Sequence, residues 1–475
     1  MRLRGFSARS VGGFFGVLLL CALASGLAVV AADGANDMPE PAQGEKARSE
    51  NVLPEATTSP QALALLAALG KLGERKRPFF DEERGWGEAS DEARDFVVDA
   101  AEDLKELRKR IKAARGECFA LGHDPLTWYD AWGPVLGHVR RASKLLVMDS
   151  KRLAWEKRYT EALADLEASA ELATILQEKA PLTALLISFV IWKMTFEFGA
   201  WDLMGDKDMP KESLMVFLES TSKDKGYAPD FDFMSWEADM FRGICVQLGE
   251  GLKNQDAKVL RIYSEGFFET SEETRPEAMV KAFADRGITV QACEQAPAIF
   301  DQMFRKMLAT TTTAYAQYAR TQEFTPSWIA RESKGNRVVQ FFLPGLLPAL
   351  EQRAMVRARI ASARIAAALR LYALQKGGAY PDSLEELLTA GILSSLPIDP
   401  FSGKAFRYAV KDGNVQFWSV GRDMQDNGGT PPIPGSLDYE GTDLVWIGNS
   451  TGSFSFVAYR STPVVAPVPP LLGPP

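Results

Sequence analysis

The sequence predicts a multi-domain protein, an all-α helical N-terminal domain followed by a smaller α+β module. Three observations predict it. Apolar residues recur at helical spacing from Gln61 to about Val339. The stretch Phe341–Pro348, FFLPGLLP, then breaks that order with two prolines and a glycine. Beyond it, a long Ala- and Arg-rich segment leads into apolar residues that alternate with period two. At 475 residues the chain is long enough for two or three domains, each with its own core. A 46% hydrophobic and 24% charged composition is ordinary for a globular protein. The net charge of −8 argues against a nucleic-acid partner, which needs a clustered basic face.

Residues 1–32 are expected to be a signal peptide or a membrane anchor. Arg2, Arg4 and Arg9 precede the apolar run Val11–Ala32, which offers small-residue cleavage sites before Asp33 and is also long enough to span a bilayer. This predicts an exported, periplasmic or extracytoplasmic protein. Leu20 stands before Cys21 where a lipoprotein signal needs a small residue, so lipidation is not expected. Residues 33–60 are polar and Pro-punctuated and are expected to be a disordered linker. Of the remaining cysteines, Cys118, Cys245 and Cys293, one pair could bridge in an oxidising compartment, with Cys245–Cys293 preferred; three buried thiols is the alternative.

The helical domain is assigned to 61–340. Phe96, Val97, Ala100, Leu104, Leu107 and Ile111 make one apolar stripe within Glu92–Ala114. Val135, Val139, Ala142, Leu146 and Leu153 make a second, with Pro134 fitting a first helical turn. Tyr159, Ala162, Leu163, Leu166 and Ala170 make a third. Leu182–Trp192, LTALLISFVIW, is uncharged but too short to cross a bilayer and is expected to be a helix buried in the bundle. The segment Tyr159–Leu172, YTEALADLEASAEL, resembles the second helix of a tetratricopeptide-type hairpin, although no period of about 34 residues is sustained.

The α+β module is assigned to 351–460, and the Pro-rich 462–475 is expected to be a disordered tail. Glu351–Lys376 is a strong helix former with the stripe Val356, Ile360, Ala363, Ala367 and Leu371, its arginines filling much of the remaining surface. Gly377-Gly378 stops it. Ser383 and Glu386 have capping-box spacing. Phe406, Tyr408 and Val410 alternate up to the turn Asp412-Gly413, and Val415, Phe417 and Ser419 alternate back, which predicts a hairpin with a two-residue turn. The returning strand ends in SVGRDMQDNGG. Asp423, Gln425, Asp426 and Asn427, backed by Asp438, Glu440 and Asp443, offer carboxylate and amide oxygens of the kind calcium takes. A solvated Asp/Asn/Gly turn without metal is the other reading. An EF-hand is excluded, because its twelfth position falls on Pro434 and no helix flanks the loop.

The order of these elements, a long helix, GGAYPDSLEELL, PIDPFSGKAFRY, a hairpin, SVGRDMQDNGG and a later DLVW, resembles the periplasmic domain of the major pseudopilin of type II secretion systems. The resemblance spans Glu351 to about Ile447, roughly a quarter of the chain. It implies calcium in the loop after the hairpin, with Asp423 and Asp443 at matching positions and Asp426 and Ser419 as neighbours. The N-terminus departs from the family: Gly5-Phe6 is followed by Ser7, Ala8, Arg9 and Ser10, neither apolar nor acidic. Polymerisation into a pseudopilus is therefore not implied.

No GxSxG, HExxH, P-loop or strand-linked GxGxxG occurs, and His123 and His138 fit no metal spacing. The expected function is that of an envelope-associated interaction or scaffold protein with a protein partner. Two alternatives are a secretion-system accessory that binds pseudopilins and a carbohydrate-active enzyme using the acids of Asp230–Asp239, DFDFMSWEAD.

Overall fold

The computed structural model describes residues 58–73, 85–119, 121, 128–177, 180–222, 233–267, 275–311, 326–342, 347–411, 413–431, 442–449 and 453–456. The expected signal or anchor, nearly all of the linker, and the Pro-rich tail lie outside them. Within them the protein is predominantly helical, with a small antiparallel sheet at its C-terminal end.

The helices run α1 (Pro60–Gly73), α2 (Asp91–Asp99), α3 (Ala101–Ala113), α4 (Trp128–Trp155), α5 (Tyr159–Gln177) and α6 (Leu182–Lys193). A π-helical turn, Met194–Ala200, joins α6 to α7 (Trp201–Gly205), and α8 (Lys211–Ser220) follows. Next come α9 (Phe233–Asn254), α10 (Ala257–Phe267), α11 (Pro276–Ala284), α12 (Val290–Thr311), α13 (Pro326–Glu332) and α14 (Arg337–Phe342). The long α15 (Leu347–Gln375) and the short α16 (Glu386–Thr389) precede the strands β1 (Arg407–Lys411), β2 (Asn414–Ser419), β3 (Leu444–Gly448) and β4 (Phe454–Phe456).

Several local expectations are met and several are corrected. The stripe of Val97, Ala100, Leu104, Leu107 and Ile111 is buried, but the helix it sits on is interrupted at Ala100, whose φ of −85° and ψ of −7° end α2 and start α3. Helix α4 begins six residues before Pro134, which therefore lies inside the helix and not in its first turn. Ser383 does not cap α16. Glu386 does reach back, but to the Asp382 N–H at 2.9 Å, and its other oxygen accepts from Tyr372 Oη at 2.7 Å. Gly378 ends α15 as expected: at φ +97° its N–H donates to Ala373 O at 2.7 Å, a conformation a β-carbon would oppose.

Helix α15 is where sequence pattern and structure differ most. Its apolar stripe is buried, but so are Arg353, Arg359 and Arg370, because other elements cover the opposite face. Helices α6, α7 and α8 and the π turn all pack on it. Arg359 is bonded to Glu197 of the π turn. Arg370 donates to the carbonyls of Met204 and Met209 at 3.3 and 3.1 Å, where α7 ends. Arg364 donates to Leu218 O at 3.3 Å on α8. The buried side chains of α15 and of the sheet are continuous with those of α1–α8. Between α8 and α15 in sequence, helices α9–α14 pack chiefly on one another, with α9 touching α6.

The α9–α12 pair explains why Cys245 and Cys293 do not bridge. Phe241 stacks on Phe300 with ring centroids 3.9 Å apart, and a β-carbon on Gly249 would lie 3.4 Å from Cys293 Cβ. This antiparallel register sets Gly249 opposite Cys293, so Cys245 sits one helical turn away from it. Both are buried thiols, and burial pushes Cys245 up and Cys293 up to about 12. Cys118 is half-buried.

The sheet order is β1-β2-β3-β4, antiparallel throughout. Lys411 pairs with Asn414, so the hairpin turn has the two residues expected. Phe417 and Trp446 stack on the inner face, and Trp446 stacks in turn on Trp201 of α7, which joins the sheet to the helices.

Candidate functional site

Strand β2 delivers Ser419 to the edge of the loop, and β3 delivers Asp443 beside it, because Ser419 pairs with Leu444. The loop between them turns through positive φ at Gly421, Met424, Gly428 and Gly429. At Gly429 glycine is required twice over. Its φ is +77°, and a β-carbon there would lie 2.3 Å from Gln416 Nε2, which donates to the Gly429 carbonyl at 2.7 Å.

Each residue expected to hold calcium has a task inside the protein. Ser419 is fully buried and donates to Asp399 Oδ1 at 2.7 Å, while its own oxygen accepts from the Gly421 N–H. Asp423 organises its own turn, accepting from the Gln425 N–H at 3.0 Å and from Asn427 Nδ2 at 3.3 Å. Asp426 bonds both to the hairpin and within the loop, where it accepts the Gly428 N–H at 3.2 Å. It accepts from Arg407 Nε at 2.7 Å and Trp418 Nε1 at 3.0 Å. Burial pushes that carboxyl up, but the bonds from Trp418 and Arg407 outweigh it and hold it below the ordinary carboxylate value.

Asp443 differs from the others. It is fully buried, and one oxygen accepts the Gly429 N–H at 2.8 Å. The other, Oδ1, is buried with no hydrogen-bond partner. Burial raises its carboxyl to about 6, against backbone N–H groups of Gly429, Asn427 and Thr430 that favour the charged form. Among the described residues no group of three His, Cys, Asp or Glu side chains is placed to hold a metal. Ser419, Asp423 and Asp426 spend their side-chain oxygens on hydrogen bonds within the protein. Only Asp443 keeps a carboxylate oxygen unspent, and the backing pair Asp438 and Glu440 lies outside the described residues.

Sequence reasoning missed Asp399. In the turn before β1, this buried carboxylate accepts from Phe401 N, Ser402 N, Ser402 Oγ, Ser419 Oγ and Val420 N. It pins the PIDPFSG turn to the end of β2. The local half had a signal, since an Asp in a Pro- and Gly-bounded turn commonly accepts the N–H two residues on, here that of Phe401. The long-range half, to Ser419 and Val420, had none.

Of the other sequence candidates, His138 packs against Gly73 at the end of α1, and Arg141 donates to the Gly73 carbonyl at 2.8 Å, a structural role for this face of α4. His123 lies outside the described residues, as do Asp230 and Asp232. Asp239 is exposed and bonded to Arg242, which also reaches Asp301 on α12.

Comparison with known proteins adds no relative: no family model, curated protein or solved structure matches the chain.

Proposed function

We propose that this chain is an exported, envelope-associated interaction or scaffold protein whose C-terminal part is a pseudopilin-like module used as a fixed structural unit. The observation that carries the reading is the engagement of α15. Its arginines bond to Glu197, Leu218, Met204 and Met209, and its apolar stripe is covered by neighbouring helices. A helix spent on internal packing is not available to the lateral contacts of a filament. The Asp-rich loop supports the same reading, because its carboxylates bond mainly to the protein's own donors.

Calcium remains part of the proposal at one point. Calcium takes six to eight oxygens, and the partnerless Oδ1 of Asp443 is the one carboxylate oxygen of the described loop that it would use, with loop carbonyls beside it. The metal would supply charge neutralisation at this buried oxygen and nothing catalytic.

Two measurements test the proposal. In cell fractionation, the full-length protein is expected with the envelope; recovery only from the cytoplasm defeats the assignment. In thermal unfolding of the full chain, calcium is expected to raise the midpoint over chelator, by mass action on the folded form, and Asp443→Asn is expected to abolish the difference. Equal midpoints with and without calcium remove the metal and leave the scaffold reading standing.

A further inference from the structure

The α3–α4–α5 interface contains a charged group that none of the preceding roles uses. Asp165 on α5 is fully buried, and Asp149 on α4 is almost so. One guanidinium nitrogen of Arg108, from α3, serves both: it is bonded to Asp165 Oδ1 and lies 3.7 Å from Asp149 Oδ2. Arg152 bonds to Asp149 Oδ1 at 2.7 Å and turns its other arm to Glu156. Every carboxylate oxygen near the centre thus faces a cation except Asp165 Oδ2, which is buried with no hydrogen-bond partner.

Two carboxylates that share one nitrogen at this depth cannot both ionise cheaply. An oxygen with no donor is the natural seat of a proton. We propose that Asp165, pressed against the Asp149 carboxylate, keeps a proton in the folded protein at pH values where an unfolded Asp has lost it, and that the loss of this proton to solvent at higher pH is a switch that loosens the α3–α4–α5 contact. The direction expected from electrostatics agrees: burial first, and the charge of Asp149 second, raise Asp165 well above the ordinary carboxylate value, against the pull of Arg108.

Among the described residues, other charged groups on and around α5 have ion pairs of their own, with Glu167 and Glu171 of α5 bonded to Arg115. Glu161, on its first turn, is paired with Arg158 at the surface. Lys193 and Glu197, from α6 and the π turn, face each other and Arg359. Lys211 and Glu212 of α8 face each other at the surface, and Lys151 of α4 is committed to Asp202.

The folded protein holds a proton that an unfolded Asp has released, so stability falls as pH rises from the unfolded value towards the raised folded one. The test uses the full chain. Wild type is expected to show an infrared C=O band of a protonated carboxylic acid at neutral pH that disappears in alkali, and to release about one proton more on unfolding at neutral pH than Asp165→Asn does. Glu161→Gln is expected to behave as wild type. The comparison with Asp165→Asn cancels the separate contribution of Asp443, which all these proteins share. Where Asp165→Asn does not fold, the wild-type band alone decides, followed in an Asp443→Asn background. No acid band at neutral pH, or equal proton release by wild type and Asp165→Asn, overturns the proposal.

Discussion

Asp399 receives five donors from two segments that are about twenty positions apart in sequence, and its loss removes them all at once. Leaving buried donors unpaired is the expensive direction of hydrogen-bond loss, so Asp399→Ala is expected to cost about 3 kcal/mol in denaturant unfolding, and Ser419→Ala about 1 kcal/mol. Asp443 predicts a pH effect. Its folded value of about 6 lies above that of an unfolded Asp, so in chelator stability falls as pH rises between the two, and Asp443→Asn removes that slope. The measurement is the unfolding midpoint across that range. These two aspartates also mark the limit of what the sequence discloses. Asp423, Asp426 and Asp443 were visible because carboxylates stand out in a Gly-rich turn. Their separate loyalties, to the turn itself, to Arg407 and Trp418, and to Gly429, depend on which way each side chain points after the strands have paired.

Helices and strands were legible where their signals are local. The hairpin is read directly from alternation around a two-residue turn, and the end of α15 from two glycines. Pro134 misled because a proline is tolerated inside α4 as well as at a start. The apolar stripe of α15 was legible, but the burial of its arginine face was not, since an Ala–Arg pattern reads as a solvated face until Glu197, 162 positions away, is known to meet Arg359. Breaking that pair leaves an uncompensated buried charge, so Glu197→Ala is expected to destabilise by about 3–5 kcal/mol, with the double variant carrying Arg359→Met recovering much of it. Arg370→Met strands two carbonyls and is expected to cost about 1–3 kcal/mol, read from the denaturation midpoint.

At the scale of the whole molecule, the sequence divides by pattern near Phe341–Pro348, whereas the buried side chains run on from α1–α8 into α15 and the sheet. An isolated fragment beginning at Leu347 is therefore expected to unfold without a cooperative transition, while the full chain shows one, as measured by calorimetry. The stacking of Trp201 on Trp446 makes the same point from the sheet side. There is a further consequence for the order of biogenesis. During synthesis the ribosome delivers α6, α7 and α8 well over a hundred residues before the helix that covers them, so their greasy faces wait uncovered until nearly the last quarter of the polypeptide appears. A polypeptide whose keystone arrives last closes this part of its core only near the end of translation.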